Sequence, residues 1–145
     1  MARYLADSSI WAWARGDRRL DIKQKLAERF AADEIVTCPP VVLEVMHRAR
    51  NGEEYEAVFA DLFEPIDWLP LNEEVSTRAV EVQREIAGGT DGNHLRPAAD
   101  YLIAAIAEHA GPEFTLWAFD KDLRIICEHT GQPFEAEDFQ PNSTP

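Results

Sequence analysis

The stretch RYLADSSIWAW, residues 3–13, is the part of the sequence that most constrains the fold. Its pattern predicts a short β-strand at residues 3–6 and a short helix at residues 10–15. Asp7 lies between the two, in an apolar context where a carboxylate has no packing role. A lone charge is costly to remove from water unless it is paired or bound to a metal. Asp7 is therefore the first candidate functional residue.

Three further carboxylates interrupt apolar segments in the same way. Glu44 is the only charge in VVLEVM at residues 41–46, Asp100 lies in PAADYLIAAIA at 97–107, and Asp120 lies in LWAFDKDLRII at 116–126. Residues three, four and seven positions after Asp100 are Ile, Ala and Ala, so Asp100 is in line with the apolar face of its helix. Their context separates these carboxylates from the many surface acids.

Length and composition indicate a single domain. The chain has 145 residues, 46% of them hydrophobic, which suits one compact domain over residues 1–139 followed by a disordered polar tail at 140–145. No apolar stretch is long enough to span a membrane, and no secretory segment precedes the first acids, so we expect a cytoplasmic protein. The net charge of −13 argues against a conventional DNA-binding domain but not against a nuclease whose acids hold metal ions. The two cysteines are expected to be reduced and buried.

Short apolar runs alternate with longer segments of helical periodicity, a pattern typical of βαβ units. We therefore predict an α/β fold, a three-layer α/β/α sandwich around a short parallel sheet. The further predicted strands are at residues 34–38, 66–69, 114–119 and 134–136, and the further helices at 18–32, 41–50, 53–63, 73–87, 97–109 and 122–129.

The predicted topology brings the carboxylates together. Asp7 follows the first strand and Asp120 the fourth, and ligands of open parallel sheets bind beyond the carboxyl ends of strands. Glu44 lies in the helix that follows the second strand, and Asp100 in the first turn of its own helix. Four oxygen donors of this kind suit Mg²⁺ or Mn²⁺ rather than zinc. Taken singly, Asp7 and Asp120 could equally serve as helix caps.

Four motifs in this order resemble the PIN-domain ribonucleases, and most closely the VapC-type toxins of toxin–antitoxin pairs. They are Asp-Ser-Ser after the first strand, Pro-x-x-x-x-Glu-Val, Asp-x-x-Ile-Ala-Ala-x-Ala and Asp-x-Asp-x-x-x-Ile. The resemblance covers residues 3–134. It implies the α/β/α fold and hydrolysis of RNA with Mg²⁺ or Mn²⁺.

The resemblance also assigns roles to particular residues. Asp7, Glu44, Asp100 and Asp120 would form the catalytic acidic quartet, with Asp7, Asp100 and Asp120 as metal ligands and Glu44 as a ligand or a group that positions water. Asp122 would be a further acid near a second metal, and Ser9 would orient the first aspartate. The expected partners are RNA, a second copy of the chain in a homodimer, and a VapB-type antitoxin whose basic tail enters the acidic groove.

Other residues are open to two interpretations. His94 and Arg96 precede the Asp100 helix and are predicted either to contact RNA or to belong to a solvated loop. Arg48 lies one turn beyond Glu44, where a salt-bridged helix face is expected rather than a catalytic role. Trp68 and Trp117 fall within predicted strands and are expected in the core.

Two other functions remain compatible with the sequence. The first is a catalytically degenerate member of the same fold that only binds proteins. The second is a phosphatase with Asp7 as nucleophile, although such enzymes carry a second acid two residues further on, where this chain has Ser9.

Overall fold

The fold is built on a parallel five-stranded sheet, seen in a computed structural model that describes residues 2–89, 94–119 and 121–139. The strand order is β3-β2-β1-β4-β5, and every adjacent pair runs parallel. The strands are β1 (Arg3–Ala6), β2 (Ile35–Thr37), β3 (Asp67–Trp68), β4 (Phe114–Ala118) and β5 (Phe134–Ala136). The predicted α/β class and parallel sheet are confirmed.

Seven helices in the described part of the chain connect and cover these strands. They are α1 (Ser8–Ala14), α2 (Leu20–Ala31), α3 (Pro39–Met46), α4 (Gly52–Leu62), α5 (Glu73–Ala87), α6 (Ala98–Ala110) and α7 (Lys121–Thr130). From β1 the chain adds β2 and β3 on one side, and it then crosses to add β4 and β5 on the other side. Because parallel crossovers are right-handed, α1–α4 cover one face of the sheet and α5–α7 cover the other. The result is the three-layer sandwich that the pattern predicts.

The centre of the sheet is buried on both faces, since Leu5 and Ala6 of β1 point to opposite faces and are both fully buried. In β1, Leu5 pairs in register with Val36 of β2 on one side and with Leu116 of β4 on the other, and all three side chains are fully buried. β1 and β4 are neighbours, which is the condition under which the residues that follow them meet. The carboxyl ends of β1, β2 and β4 therefore lie side by side at the same end of the sheet, at the point where the strand order reverses.

Two helices begin two residues earlier than their periodicity predicts. α1 begins at Ser8 because the Asp7 side chain accepts a hydrogen bond from the backbone N–H of Ser9 and caps the helix. α3 begins at Pro39 because the fixed φ of proline suits a first helical turn and its missing N–H costs nothing there. α3 also ends at Met46 rather than at residue 50. Cys38 accordingly precedes α3 as its N-cap instead of ending β2.

The two strand tryptophans differ in burial. Trp117 is fully buried in central strand β4, as predicted. The prediction for Trp68 is wrong, because its side chain is 41% exposed. Trp68 belongs to β3, an edge strand of two residues, and its indole N–H donates to the carbonyl of Phe63 at 2.9 Å. The predicted polar tail at residues 140–145 lies outside the described residues.

Candidate carboxylate site

Asp7 occupies the turn between β1 and α1 and is only 3% exposed. Its Oδ2 accepts hydrogen bonds from the Ser9 hydroxyl at 2.8 Å and from the Ser9 backbone N–H at 3.2 Å. The two interpretations of Asp7, helix cap and site residue, thus apply together. One carboxylate oxygen caps the helix and fixes the orientation of the group.

Burial raises the pKa of Asp7 from 3.8 to about 6. The hydrogen bonds from Ser9 act in the opposite direction, and the negative charge of Glu44 raises the pKa further. The folded protein therefore holds a carboxylate that is costly to ionise and lies near a second negative charge. A bound cation would offset both costs.

Glu44 reaches this region from α3, which follows β2. Its side chain is exposed, and its Oε2 accepts a hydrogen bond from the Ser8 hydroxyl at 2.9 Å. This bond joins residues 36 positions apart in the chain and ties the start of α1 to α3. The serine pair after Asp7 therefore orients two carboxylates, Ser9 through Asp7 and Ser8 through Glu44.

Asp100 lies in the first turn of α6 and is 5% exposed. Ile103, Ala104 and Ala107 are buried on the same side of the helix, so the charge points into the protein as its position predicts. Asp120, the fourth predicted acid, lies outside the described residues. In the sequence it directly follows Phe119, whose backbone N–H donates to the Ser9 hydroxyl at 3.1 Å.

Asp7, Glu44 and Asp100 line one cavity of about 180 Å³, here called the carboxylate cavity. They come from three separate segments of the chain, so the tertiary fold brings together three of the four predicted acids. Within the described residues, no group of three or more His, Cys, Asp or Glu side chains is close enough to hold a metal ion by itself. The donor set is nonetheless entirely oxygen, which is the chemistry that Mg²⁺ and Mn²⁺ prefer.

Two arginines that the sequence analysis did not assign to the site also line the carboxylate cavity. Arg15 follows the end of α1 and Arg48 lies just beyond α3, and both are exposed. Neither forms an ion pair with any carboxylate among the described residues, so the salt bridge expected for Arg48 is wrong. An arginine kept beside carboxylates without pairing is available for an anionic ligand.

Arg96, His94 and Asp122 are placed differently from these residues. Arg96 forms an ion pair with Asp122, and its side chain is only 11% exposed. Asp122 lines a separate cavity beside Phe119. The backbone carbonyl of His94 accepts a hydrogen bond from the Tyr101 hydroxyl at 2.7 Å. None of the three lines the carboxylate cavity.

Cysteine nucleophiles are unsuited to this site. Cys38 and Cys127 are both buried and reduced, as predicted. Burial raises the pKa of each thiol to about 12, and for Cys38 the charge of Asp7 adds to the effect. Both thiols therefore remain protonated at neutral pH, whereas only a thiolate is an effective nucleophile.

Comparison with known proteins identifies the family. The sequence profile of the PIN domain matches residues 4–128. The chain belongs to the PIN-domain family. This PIN domain is 34% identical over 134 residues to Ribonuclease VapC18 of Mycobacterium tuberculosis, a match that covers 91% of this chain and 93% of that protein. The family predicted from the four motifs is confirmed.

Solved structures share the fold of this PIN domain. The DNA-bound VapBC of Salmonella typhimurium matches with a TM-score of 0.71 at 13% identity, covering 94% of this chain and 98% of that one. The promoter-bound VapBC2 of Rickettsia felis matches with a TM-score of 0.70 at 14% identity, covering 93% of this chain and 98% of that one.

Within the described residues, no helix is long and apolar enough to cross a membrane.

Proposed function

We propose that this PIN domain is a Mg²⁺- or Mn²⁺-dependent endoribonuclease and the toxin of a VapBC-type toxin–antitoxin pair. The observation that carries the proposal is the carboxylate cavity, in which Asp7, Glu44 and Asp100 meet beside Arg15 and Arg48. The relative named Ribonuclease VapC18, similar over nearly the whole chain, supports the same activity. Incubation of purified protein with cellular RNA, with and without divalent metal, tests it.

Asp7, Asp100 and Asp120 are the proposed metal ligands, with Glu44 as a ligand or as the group that positions water. A bound divalent cation would lower the pKa of coordinated water and neutralise charge on the phosphate. The raised pKa of Asp7 fits this role, because a buried carboxylate near a second acid is relieved by a cation. Asp122, which forms an ion pair with Arg96, is proposed as a further acid near a second metal.

In the proposed hydrolysis, a water oxygen attacks the phosphorus of an RNA phosphodiester in line with the leaving oxygen. The bond from phosphorus to that oxygen breaks, and a proton passes to the leaving strand. Glu44 is more exposed than Asp7 and is held by Ser8, which supports its proposed role of orienting the incoming water. The hydrogen bond from the Ser9 hydroxyl holds the Asp7 carboxylate in one orientation.

Arg15 and Arg48 are the proposed contacts to the RNA backbone. We expect Arg48→Gln and Arg15→Gln each to weaken RNA binding several-fold at low salt and to flatten the dependence of log Kd on log salt, because each removes about one phosphate contact. Fluorescence anisotropy with a single-stranded oligonucleotide at several salt concentrations measures both quantities.

Arg84→Gln is the matched control for these two variants. Arg84 is an exposed arginine of α5 that lines no part of the carboxylate cavity and pairs with no described carboxylate. Its replacement changes the net charge by the same amount. An equal loss of affinity in all three variants would show that only net charge matters, and would contradict specific contacts.

Ser9→Ala tests how the site is held. The Ser9 hydroxyl donates to Asp7 and accepts from Phe119, so its removal leaves Asp7 Oδ2 held by the Ser9 backbone N–H alone and leaves the Phe119 N–H without this acceptor. Groups that orient metal ligands are typically worth about 10- to 100-fold in metal affinity. We expect Mn²⁺ affinity, measured by titration calorimetry, to fall within that range. Ser9→Thr keeps the hydroxyl and should restore most of the affinity.

The proposed regulator is a VapB-type antitoxin with a basic tail. The solved structures that share this fold include VapBC complexes, and the net charge of −13 favours a cationic partner segment. We also propose that the protein is a homodimer located in the cytoplasm. Sedimentation velocity of the protein alone and with a co-expressed basic-tailed partner measures both assemblies.

A further inference from the structure

A second cavity, of about 790 Å³, adjoins the carboxylate cavity, and Ser9 lines both. We call it the aromatic cavity, because Trp13, Phe119 and Phe139 contribute rings to it, with Lys121 beside them. None of these four residues belongs to the proposed catalytic set. Their position next to Ser9 raises the question of what the rings bind.

The three rings contact one another, with Phe119 buried, Trp13 half-buried and Phe139 open to solvent. The Phe139 centroid lies 5.2 Å from those of both Trp13 and Phe119, at interplanar angles of 70° and 34°. Phe139 is nevertheless 59% exposed. A phenyl ring held by two aromatic neighbours, with most of its own surface accessible, is a rigid surface on which a planar group can stack.

Hydrogen bonds connect this ring surface directly to the catalytic carboxylate. The Phe119 backbone N–H donates to Ser9 Oγ at 3.1 Å, and Ser9 Oγ donates to Asp7 Oδ2 at 2.8 Å. The backbone of one wall residue is thus two hydrogen bonds from the group proposed to hold metal. A strand whose phosphate lies at Asp7 has its neighbouring nucleoside within reach of the aromatic cavity.

The electrostatics of the aromatic cavity also suit a polyanion. Each carboxylate that lines it lies within ion-pair distance of a basic side chain: Asp122 with Arg96, Glu137 with Lys25 at 2.5 Å, and Asp138 with Arg124 at 3.4 Å. Lys121 makes no ion pair with any carboxylate in the described part of the chain. The cavity therefore combines paired acids with a lysine outside any described ion pair and the exposed ring of Phe139.

We propose that the aromatic cavity binds a nucleobase of single-stranded RNA, adjacent to the phosphate at the carboxylate cavity. This inference rests on the proposed nuclease function and adds a contact through which the RNA substrate is bound. Stacking tolerates any base, because every base has a π-face, so the contact adds affinity for unpaired strands rather than sequence preference.

The test compares two fluorescent RNAs of about ten nucleotides, within the range that single-strand sites cover. One is single-stranded RNA, and the other has abasic riboses at its central positions. All proteins carry Asp100→Asn so that the RNA stays intact. We expect the parent to bind the base-bearing strand on the order of tenfold more tightly, and Phe139→Ala to bind both strands equally weakly.

Two variants serve as controls. Phe139→Tyr keeps an aromatic ring and should retain the preference. Val80→Ala truncates an apolar side chain of α5 that is 56% exposed and should bind like the parent. No preference in the parent, or a preference that survives in Phe139→Ala, would overturn the proposal. A Phe139→Ala protein that changes oligomeric state in sedimentation, with its base preference intact, would overturn it by assigning the cavity to a second copy.

Cleavage by the protein with Asp100 intact separates this proposal from the nuclease function. Cleavage of the RNA without any base preference in binding would contradict the nucleobase site alone. Base preference without cleavage would contradict the proposed nuclease function and support the nucleobase site.

Discussion

Replacing Asp100 with asparagine is expected to reduce RNA cleavage by about a thousandfold or more. A metal ion and its ligands contribute several kcal/mol of charge stabilisation to phosphoryl transfer, and each 1.4 kcal/mol is about tenfold in rate. Asn has the shape of Asp without its charge, and Asp100 lines the carboxylate cavity from the first turn of α6. The measurement is the initial rate on a single-stranded RNA in Mn²⁺.

Asp33→Asn is the matched control for this variant. Asp33 is exposed and precedes β2, so it lies at the amino-terminal end of the strands, opposite the end that holds the carboxylate cavity. Its backbone φ of +59° is one that Asn adopts readily, so the control should fold normally. Loss of cleavage only in Asp100→Asn supports the site. Cleavage within a few-fold of wild type in both would remove Asp100 from the mechanism.

Asp7→Asn is expected to stabilise the metal-free protein at neutral pH while abolishing cleavage. The folded-state pKa of Asp7 is about 6, against 3.8 as its ordinary value. The folded protein thus binds this proton more tightly than the unfolded chain, and its stability falls as pH rises from about 4 through 6. At about 1.4 kcal/mol per pH unit, the gain for the Asn variant approaches about 3 kcal/mol above pH 7.

The pH dependence distinguishes this effect from a general one. The free energies of unfolding of wild type and Asp7→Asn, measured by urea denaturation in chelator, should be similar near pH 4 and diverge as pH rises to 7. Other shifted groups cancel in the difference between the two proteins. Metal at about a thousand times Kd reverses the order, since it stabilises the wild type by about 4.1 kcal/mol. A difference that is constant with pH would contradict the raised pKa of Asp7.

The carboxylates were predictable because a single acid within an apolar segment stands out in the sequence, whether its side chain is buried, as in Asp7 and Asp100, or exposed, as in Glu44. Asp7, Glu44 and Asp100 interrupt apolar segments, and that local pattern needs no knowledge of their neighbours. The parallel sheet then follows from short strands that alternate with helices, whereas the order of the strands comes from the structure. Ser8 was missed although the signal was present, since the second serine of the Asp-Ser-Ser motif was credited with orienting Asp7 while the first, which bonds to Glu44, was not considered.

The sequence did not predict that Arg15 and Arg48 line the cavity or that Trp68 is exposed, and the reason is physical. An exposed arginine at a helix end has the same local sequence whether it faces solvent or a cavity, and only the packing of α1 against α3 decides. Trp68 has the apolar neighbours of a core strand, but its position at the sheet edge exposes it. Both properties depend on which elements become neighbours, and residue pattern alone does not carry that information.

The most direct test of the central claim is metal removal and restoration on one RNA substrate. Purified wild-type protein is incubated with a single-stranded RNA in Mg²⁺, in Mn²⁺, in chelator, and in chelator followed by excess Mn²⁺. The carboxylate cavity predicts cleavage in the first two conditions, loss in the third and recovery in the fourth. Cleavage that continues undiminished in chelator would contradict a metal-dependent nuclease built on Asp7, Glu44 and Asp100.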